Sequence, residues 1–91
     1  MSIRILVAED EEIMRITLLD HLRSQGWQVD EAETGTRALE LIKNNRYQLL
    51  LSDIRMPGMD GEELLTEVKN RVPHTEVVMM TAHGSTDTAV N

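Results

Sequence analysis

The chain alternates short apolar runs with stretches of helical periodicity. Residues 3–8 are β-branched and mostly apolar and predict a first strand. Over residues 12–25 the spacing predicts a helix, with Met14, Leu18 and Leu22 at i, i+4 and i+8 as its inward stripe and Gly26 as its stop. Residues 27–31 alternate more weakly and predict a second strand nearer an edge. Thr34-Gly35 opens a second helix running to about Asn44, with Ala38, Leu39 and Ile42 inward and Asn44-Asn45-Arg46 closing it. Residues 47–52 predict a third strand. Asp60-Gly61 caps a third helix that runs to about Arg71, with Leu64, Leu65 and Val68 inward, and Val72-Pro73 ends it. Residues 76–81 predict a fourth strand, in which Val77, Val78, Met79 and Met80 are continuously apolar. Residues 82–85 read as a loop, and from Thr86 a further helix begins with no stop signal before Asn91. The order β-α-β-α-β-α-β implies a parallel sheet with right-handed crossovers.

Three of these strands end in complementary chemistry. The first delivers Glu9 and Asp10. The third delivers Asp53 into the turn Met56-Pro57-Gly58-Met59-Asp60-Gly61. The fourth delivers the hydroxyl of Thr81. In a parallel sheet these ends share one edge, where open α/β sheets place their ligands. Carboxylates crowded there repel one another and invite a hard cation such as Mg²⁺, which takes oxygen ligands. A carboxylate left free beside that cation can act as a phosphoryl nucleophile, with a hydroxyl donating to the transferring group. Taken singly, each residue has a plain structural role. Asp10 suits a helix N-cap, Asp53 a loop cap and Thr81 a strand end, while Glu11 and Glu12 favour a helix macrodipole.

Composition narrows the alternatives. Ninety-one residues make one domain at most, and 41% hydrophobic content excludes a disordered chain. With no Phe, one Trp and one Tyr, the core must be aliphatic. A net charge of −7 argues against direct nucleic-acid binding by this segment and is compatible with divalent cations. The absence of cysteine removes disulfides, thiolate metal sites and Cys nucleophiles together. No stretch is apolar enough to span a membrane and none resembles a signal peptide, so a cytoplasmic location is expected. His21, His74 and His83 lack metal-ligand spacing, and the methionines read as core or rim filler.

Three segments together resemble the receiver domain of bacterial two-component response regulators, with its CheY-like (flavodoxin-like) doubly wound parallel sheet. They are Ile5-Leu6-Val7-Ala8-Glu9-Asp10-Glu11, Leu51-Ser52-Asp53-Ile54-Arg55-Met56-Pro57-Gly58-Met59-Asp60-Gly61 and Val78-Met79-Met80-Thr81-Ala82-His83-Gly84. The last two are most similar to receivers of NtrC-like regulators, which usually precede an ATPase domain and a DNA-binding domain. The resemblance covers the whole chain. It implies that Asp53 is the phosphoacceptor, taking a phosphoryl group from a sensor histidine kinase. It implies that Glu9, Asp10, Asp53 and the Arg55 backbone carbonyl hold Mg²⁺, that Thr81 is the switch hydroxyl, and that Ala82 leaves room beside it. In the family the first helix docks on the kinase. Ile13, Ile16, Thr17 and Leu19 are the candidates for that surface here, against burial by a neighbouring helix.

A full receiver also has a fifth strand, ending in a Lys that contacts the phosphoryl group, and a fifth helix. The only lysines here, Lys43 and Lys69, fall in the second and third helices. The expectation is therefore a truncated receiver over residues 1–91, ending at the start of the fourth helix, with four strands in the order 2-1-3-4. The exposed fourth strand, or elements exchanged between protomers, should then drive homo-oligomerisation. The expected function is a phosphorylation-dependent switch acting on a downstream output, transcription regulation in a longer parent, and not a turnover enzyme. The alternatives are a dimerising fragment with an inactive pocket and a Mg²⁺-dependent phosphatase. The phosphatase reading suffers because such enzymes usually place a second Asp two residues after the nucleophile, where this chain has Arg55.

Overall fold

The computed structural model describes residues 3–80. Four strands alternate with three helices: β1 (Arg4–Ala8), α1 (Glu12–Ser24), β2 (Gln28–Ala32), α2 (Gly35–Asn44), β3 (Leu49–Asp53), α3 (Gly61–Arg71) and β4 (Glu76–Met80). All pairings are parallel, in the order β2-β1-β3-β4. This is the doubly wound arrangement that the alternating pattern implies.

The two faces of the sheet carry separate apolar clusters. Ile5 and Val7 of β1 pack with Val29 and with Leu19 and Leu22 of α1. Leu6 and Ala8, one residue out of phase, face the other way and pack with Ala38, Leu39 and Ile42 of α2 and Leu64 and Val68 of α3. Because side chains alternate along a strand, a central strand buried on both faces must be apolar at consecutive positions, which Ile5 to Ala8 satisfy. On the α1 side, Leu49 and Leu51 of β3 are only partly buried, and Val78 of β4 is 47% exposed.

Local chemistry sets the helix ends. Thr34 caps α2 by accepting a hydrogen bond from the Arg37 amide, and Asp60 caps α3 by accepting one from Glu63. Gly26 stops α1 with φ of 88°, a left-handed conformation disfavoured for residues bearing a Cβ. β2 starts at Gln28, one residue later than the pattern predicts, because the ladder opens with the Gln28 amide donating to Ile3. β3 is displaced by two residues at its start, leaving Tyr47 below the strand and making Asp53 its last member.

The inward face of α1 differs from the predicted one. Arg15, Leu19 and Leu22 are its buried residues, while Met14 and Leu18 are only half-buried. The true row runs i, i+4, i+7, rotated by one residue from the purely apolar row. The helix turns Arg15 inward because hydrogen-bond acceptors await it there. Leu19 is therefore core, 3% exposed, and is withdrawn from the candidate partner surface. Ile13 and Ile16 stay exposed, at 76% and 47%, as does Thr17. Leu65 is half-buried. Thr81, Ala82 and the expected helix from Thr86 lie outside the described residues.

Candidate functional site

The carboxylates of Glu9, Asp10 and Asp53 converge at the C-terminal edge of the sheet, with one oxygen of each within 4.8 Å of the others. β1 and β3 are hydrogen-bonded neighbours, with Ala8 opposite Ser52, so the residues that follow must meet. Glu9 and Asp53 are buried, whereas Asp10 is exposed. The N-cap position of α1 is Glu11, whose side chain makes no capping bond. Asp10 is thus not the cap of α1 and stands at the mouth of the cluster.

The electrostatics are those of an underneutralised acidic pocket. Burial, chiefly, pushes the Glu9 carboxyl up to about 7, and the neighbouring Asp53 and Asp10 push in the same direction. A hydrogen bond from the Glu11 amide to Glu9 Oε2, 3.0 Å, opposes the shift without cancelling it. Among the described residues, none of the ion pairs involves the carboxylate of Glu9, Asp10 or Asp53. Oxygen donors of like charge, close together and joined in no ion pair among the described residues, are the donor set that a hard divalent cation fits.

A cavity opens beside the cluster, lined by Asp10, Arg55, Met56, Pro57 and Asp60. Regular strand structure stops at Asp53, so Arg55 does not continue the strand alternation. Gly61 lets α3 seat directly behind the site. Its amide donates to the Ile54 carbonyl at 2.7 Å, and a Cβ there would fall 2.2 Å from the Asp53 carbonyl oxygen.

The pattern of the sequence misses two contributors. Asp60, read only as a cap, also lines the cavity. Arg15, absent from the apolar stripe, is 6% exposed and donates to the Glu9 carbonyl. A helical wheel that allowed one charged residue on the Leu19–Leu22 row would have found it.

A doubly wound parallel sheet with three carboxylates clustered at its C-terminal edge defines a class of acidic-pocket α/β domains, and comparison with known proteins narrows the class to a family. The chain matches the response regulator receiver domain over residues 5–91 and belongs to that family. It is 37% identical over 90 residues to the response regulator protein FleR of Pseudomonas aeruginosa, covering 99% of this chain and 19% of FleR. It is 41% identical over 85 residues to the DNA-binding transcriptional regulator NtrC of Escherichia coli, covering 93% of this chain and 18% of NtrC. The chain thus spans about a fifth of the length of these regulators. Among solved structures, the response regulator TrrA of Thermotoga maritima in complex with Mg²⁺-BeF superimposes with a TM-score of 0.84 at 33% identity, covering 93% of this chain and 76% of that one. TrrA has also been solved in complex with the histidine kinase ThkA. No described helix of this chain is long and apolar enough to cross a membrane.

Proposed function

We propose that this chain is the phosphoacceptor module of a two-component system, with Asp53 taking a phosphoryl group from the phosphohistidine of a sensor kinase. The observation that carries the reading is the convergence of Glu9, Asp10 and Asp53 at the end of adjacent parallel strands. Glu9, Asp10, Asp53 and the Arg55 carbonyl are the proposed Mg²⁺ donors. When bound, the cation offsets the charge of the carboxylates and of the transferring phosphoryl oxygens. Asp53 attacks phosphorus as a carboxylate. A P–O bond forms to it as the P–N bond breaks, and the imidazole leaves with the electron pair of that bond. Thr81 is the proposed hydroxyl partner of the phosphoryl group, with Ala82 beside it.

The complex of TrrA with a histidine kinase supports a kinase as partner, and Ile13, Ile16 and Thr17 are the exposed residues of α1 proposed to meet it. The likeness to the DNA-binding transcriptional regulator NtrC supports transcription regulation as the output of a longer parent protein. β4, with Val78 exposed, is the proposed surface for self-association, testable by sedimentation in dilute solution. The chain is proposed to accept one phosphoryl group per molecule and not to turn over an external substrate.

The test incubates the chain with Mg²⁺ and a small phosphodonor and measures intact mass, with Asp53→Asn alongside. A single phosphoryl adduct on the parent, absent from the variant, is expected. An adduct of equal yield on both would remove Asp53 as the acceptor.

A further inference from the structure

We propose that Arg15 is a positioning residue for the acidic pocket, fixing the backbone that carries Glu9 and Asp10 by tying it to the end of β2. The proposal rests on reading that pocket as a divalent-cation site. Arg15 sits one turn into α1 and is buried. One terminal nitrogen donates to the Glu9 carbonyl oxygen at 3.0 Å, and Nε donates to Glu31 Oε1 at 2.9 Å. The other terminal nitrogen lies 3.8 Å from Glu33 Oε1. The planar fork of a guanidinium spans these acceptors at once, which an ammonium cannot do.

The same loop is pinned at two further points. The Glu9 amide donates to the Ala32 carbonyl at 3.0 Å, and Glu9 Oε2 accepts from the Glu11 amide. Arg15 supplies the contact to the carbonyl, so the peptide joining Glu9 to Asp10 is fixed from its oxygen side. This is the peptide whose orientation aims the Asp10 carboxylate. Glu31, near the end of β2, hydrogen-bonds the guanidinium and balances its charge, and Glu33, just beyond the strand, adds a longer ion pair. Arg15 therefore acts through the Glu9–Asp10 backbone, as an outer group that orients the ligands of a metal.

The sign of the effect separates this role from a field effect. Removing a positive charge near an acidic pocket strengthens cation binding if only the electrostatic field matters. Loss of positioning weakens it. The experiment titrates the chain with Mg²⁺ by calorimetry and melts each variant without Mg²⁺. Arg15→Met is expected to weaken Mg²⁺ binding about tenfold, within the range for outer-shell groups. Arg15→Lys, which keeps the charge and loses the fork, is expected to weaken it by a smaller factor. Leu22→Ala, farther along the same helix, serves as the stability control. It should lower the melting temperature and leave Mg²⁺ affinity within about twofold of the parent, because the residue packs away from the pocket.

Unchanged or tighter binding by Arg15→Met overturns the proposal, as does equal weakening by Leu22→Ala. If Arg15→Met does not fold, Arg15→Lys decides: parental affinity overturns the proposal and weaker binding supports it. If the parent chain itself binds no Mg²⁺, the cation reading of the pocket falls and this inference falls with it. A parent that binds, with Arg15 variants that bind equally well, removes this inference alone.

Discussion

The sheet has charged groups at both of its ends, and the two ends treat them in opposite ways. Toward the N-terminal end, Asp30 accepts from Arg4 at 3.1 Å and from the Tyr47 hydroxyl at 2.6 Å. The Arg4 guanidinium also lies over the Tyr47 ring, 5.1 Å from its centroid, and bonds Asn45. Burial, reinforced by the bond to Asp30, pushes the Tyr47 hydroxyl above its ordinary pKa, which keeps it a donor. At the C-terminal end Arg15 pairs with Glu31, but the carboxylates of Glu9, Asp10 and Asp53 crowd together and join no ion pair among the described residues. One end is a charge-paired network that supports the fold, although Arg4 Nε within it is buried without a hydrogen-bond partner. The other is a cost to the apo fold that a bound cation would relieve. A site built for an external ligand stands out by its lack of internal compensation.

Substitutions at the two ends test that contrast. The largest effect is expected from Gly61→Ala, whose methyl would meet the Asp53 carbonyl and the tip of Met79. Backbone has to move, at a cost of about 3 kcal/mol by chemical denaturation, and Asp53 moves with it. At the charge-paired end, Asp30→Ala removes an acceptor shared by Arg4 and Tyr47. A loss of about 2 kcal/mol is expected, the partial exposure of Arg4 moderating it. At the acidic end, Glu9→Gln should have the opposite sign. Without divalent cations it is expected to stabilise the chain by about 1 kcal/mol, since it takes one charge out of the crowded cluster, and it should weaken Mg²⁺ binding. If both substitutions destabilise, the contrast between the ends fails. Tyr47→Phe, which leaves Asp30 its Arg4 partner, should cost about 1 kcal/mol.

The acidic end also sets a dependence on pH. Glu9 titrates at about 7 in the fold against an ordinary value of 4.5, so between those values the folded chain holds more protons than the unfolded one. Its contribution to stability is fully present below about 4.5 and lost as the pH rises through about 7. Mg²⁺ requires the carboxylate, so affinity should rise over the same interval while binding releases protons. Melting curves and Mg²⁺ titrations between pH 5 and 8 should therefore trend in opposite directions. Parallel trends would mean that Glu9 does not titrate in the pocket.

Much of this was legible in the sequence. The continuous apolar positions of β1 and the alternation of strand and helix patterns determine a parallel, two-faced sheet, because each residue's face follows from the period of its element. Glu9, Asp10 and Asp53 follow from it, since the ends of parallel strands share one edge. The tertiary structure alone decided how α1 is rotated. An apolar row at Met14, Leu18 and Leu22 competed with a row containing Arg15, and the second won because the Glu9 carbonyl and the Glu31 carboxylate lie across the gap. Those acceptors come from the residue after β1 and from β2, so no local pattern in α1 reveals them. The same rotation buries Leu19 and leaves Ile13 and Ile16 outside. The close seat of Gly61 against Asp53, and the difference between the Arg4–Asp30–Tyr47 network and the unpaired cluster of Glu9, Asp10 and Asp53, likewise arise only when distant segments meet. Periodicity reports which way a residue faces within its own element, and charge compensation depends on what the rest of the chain brings opposite it.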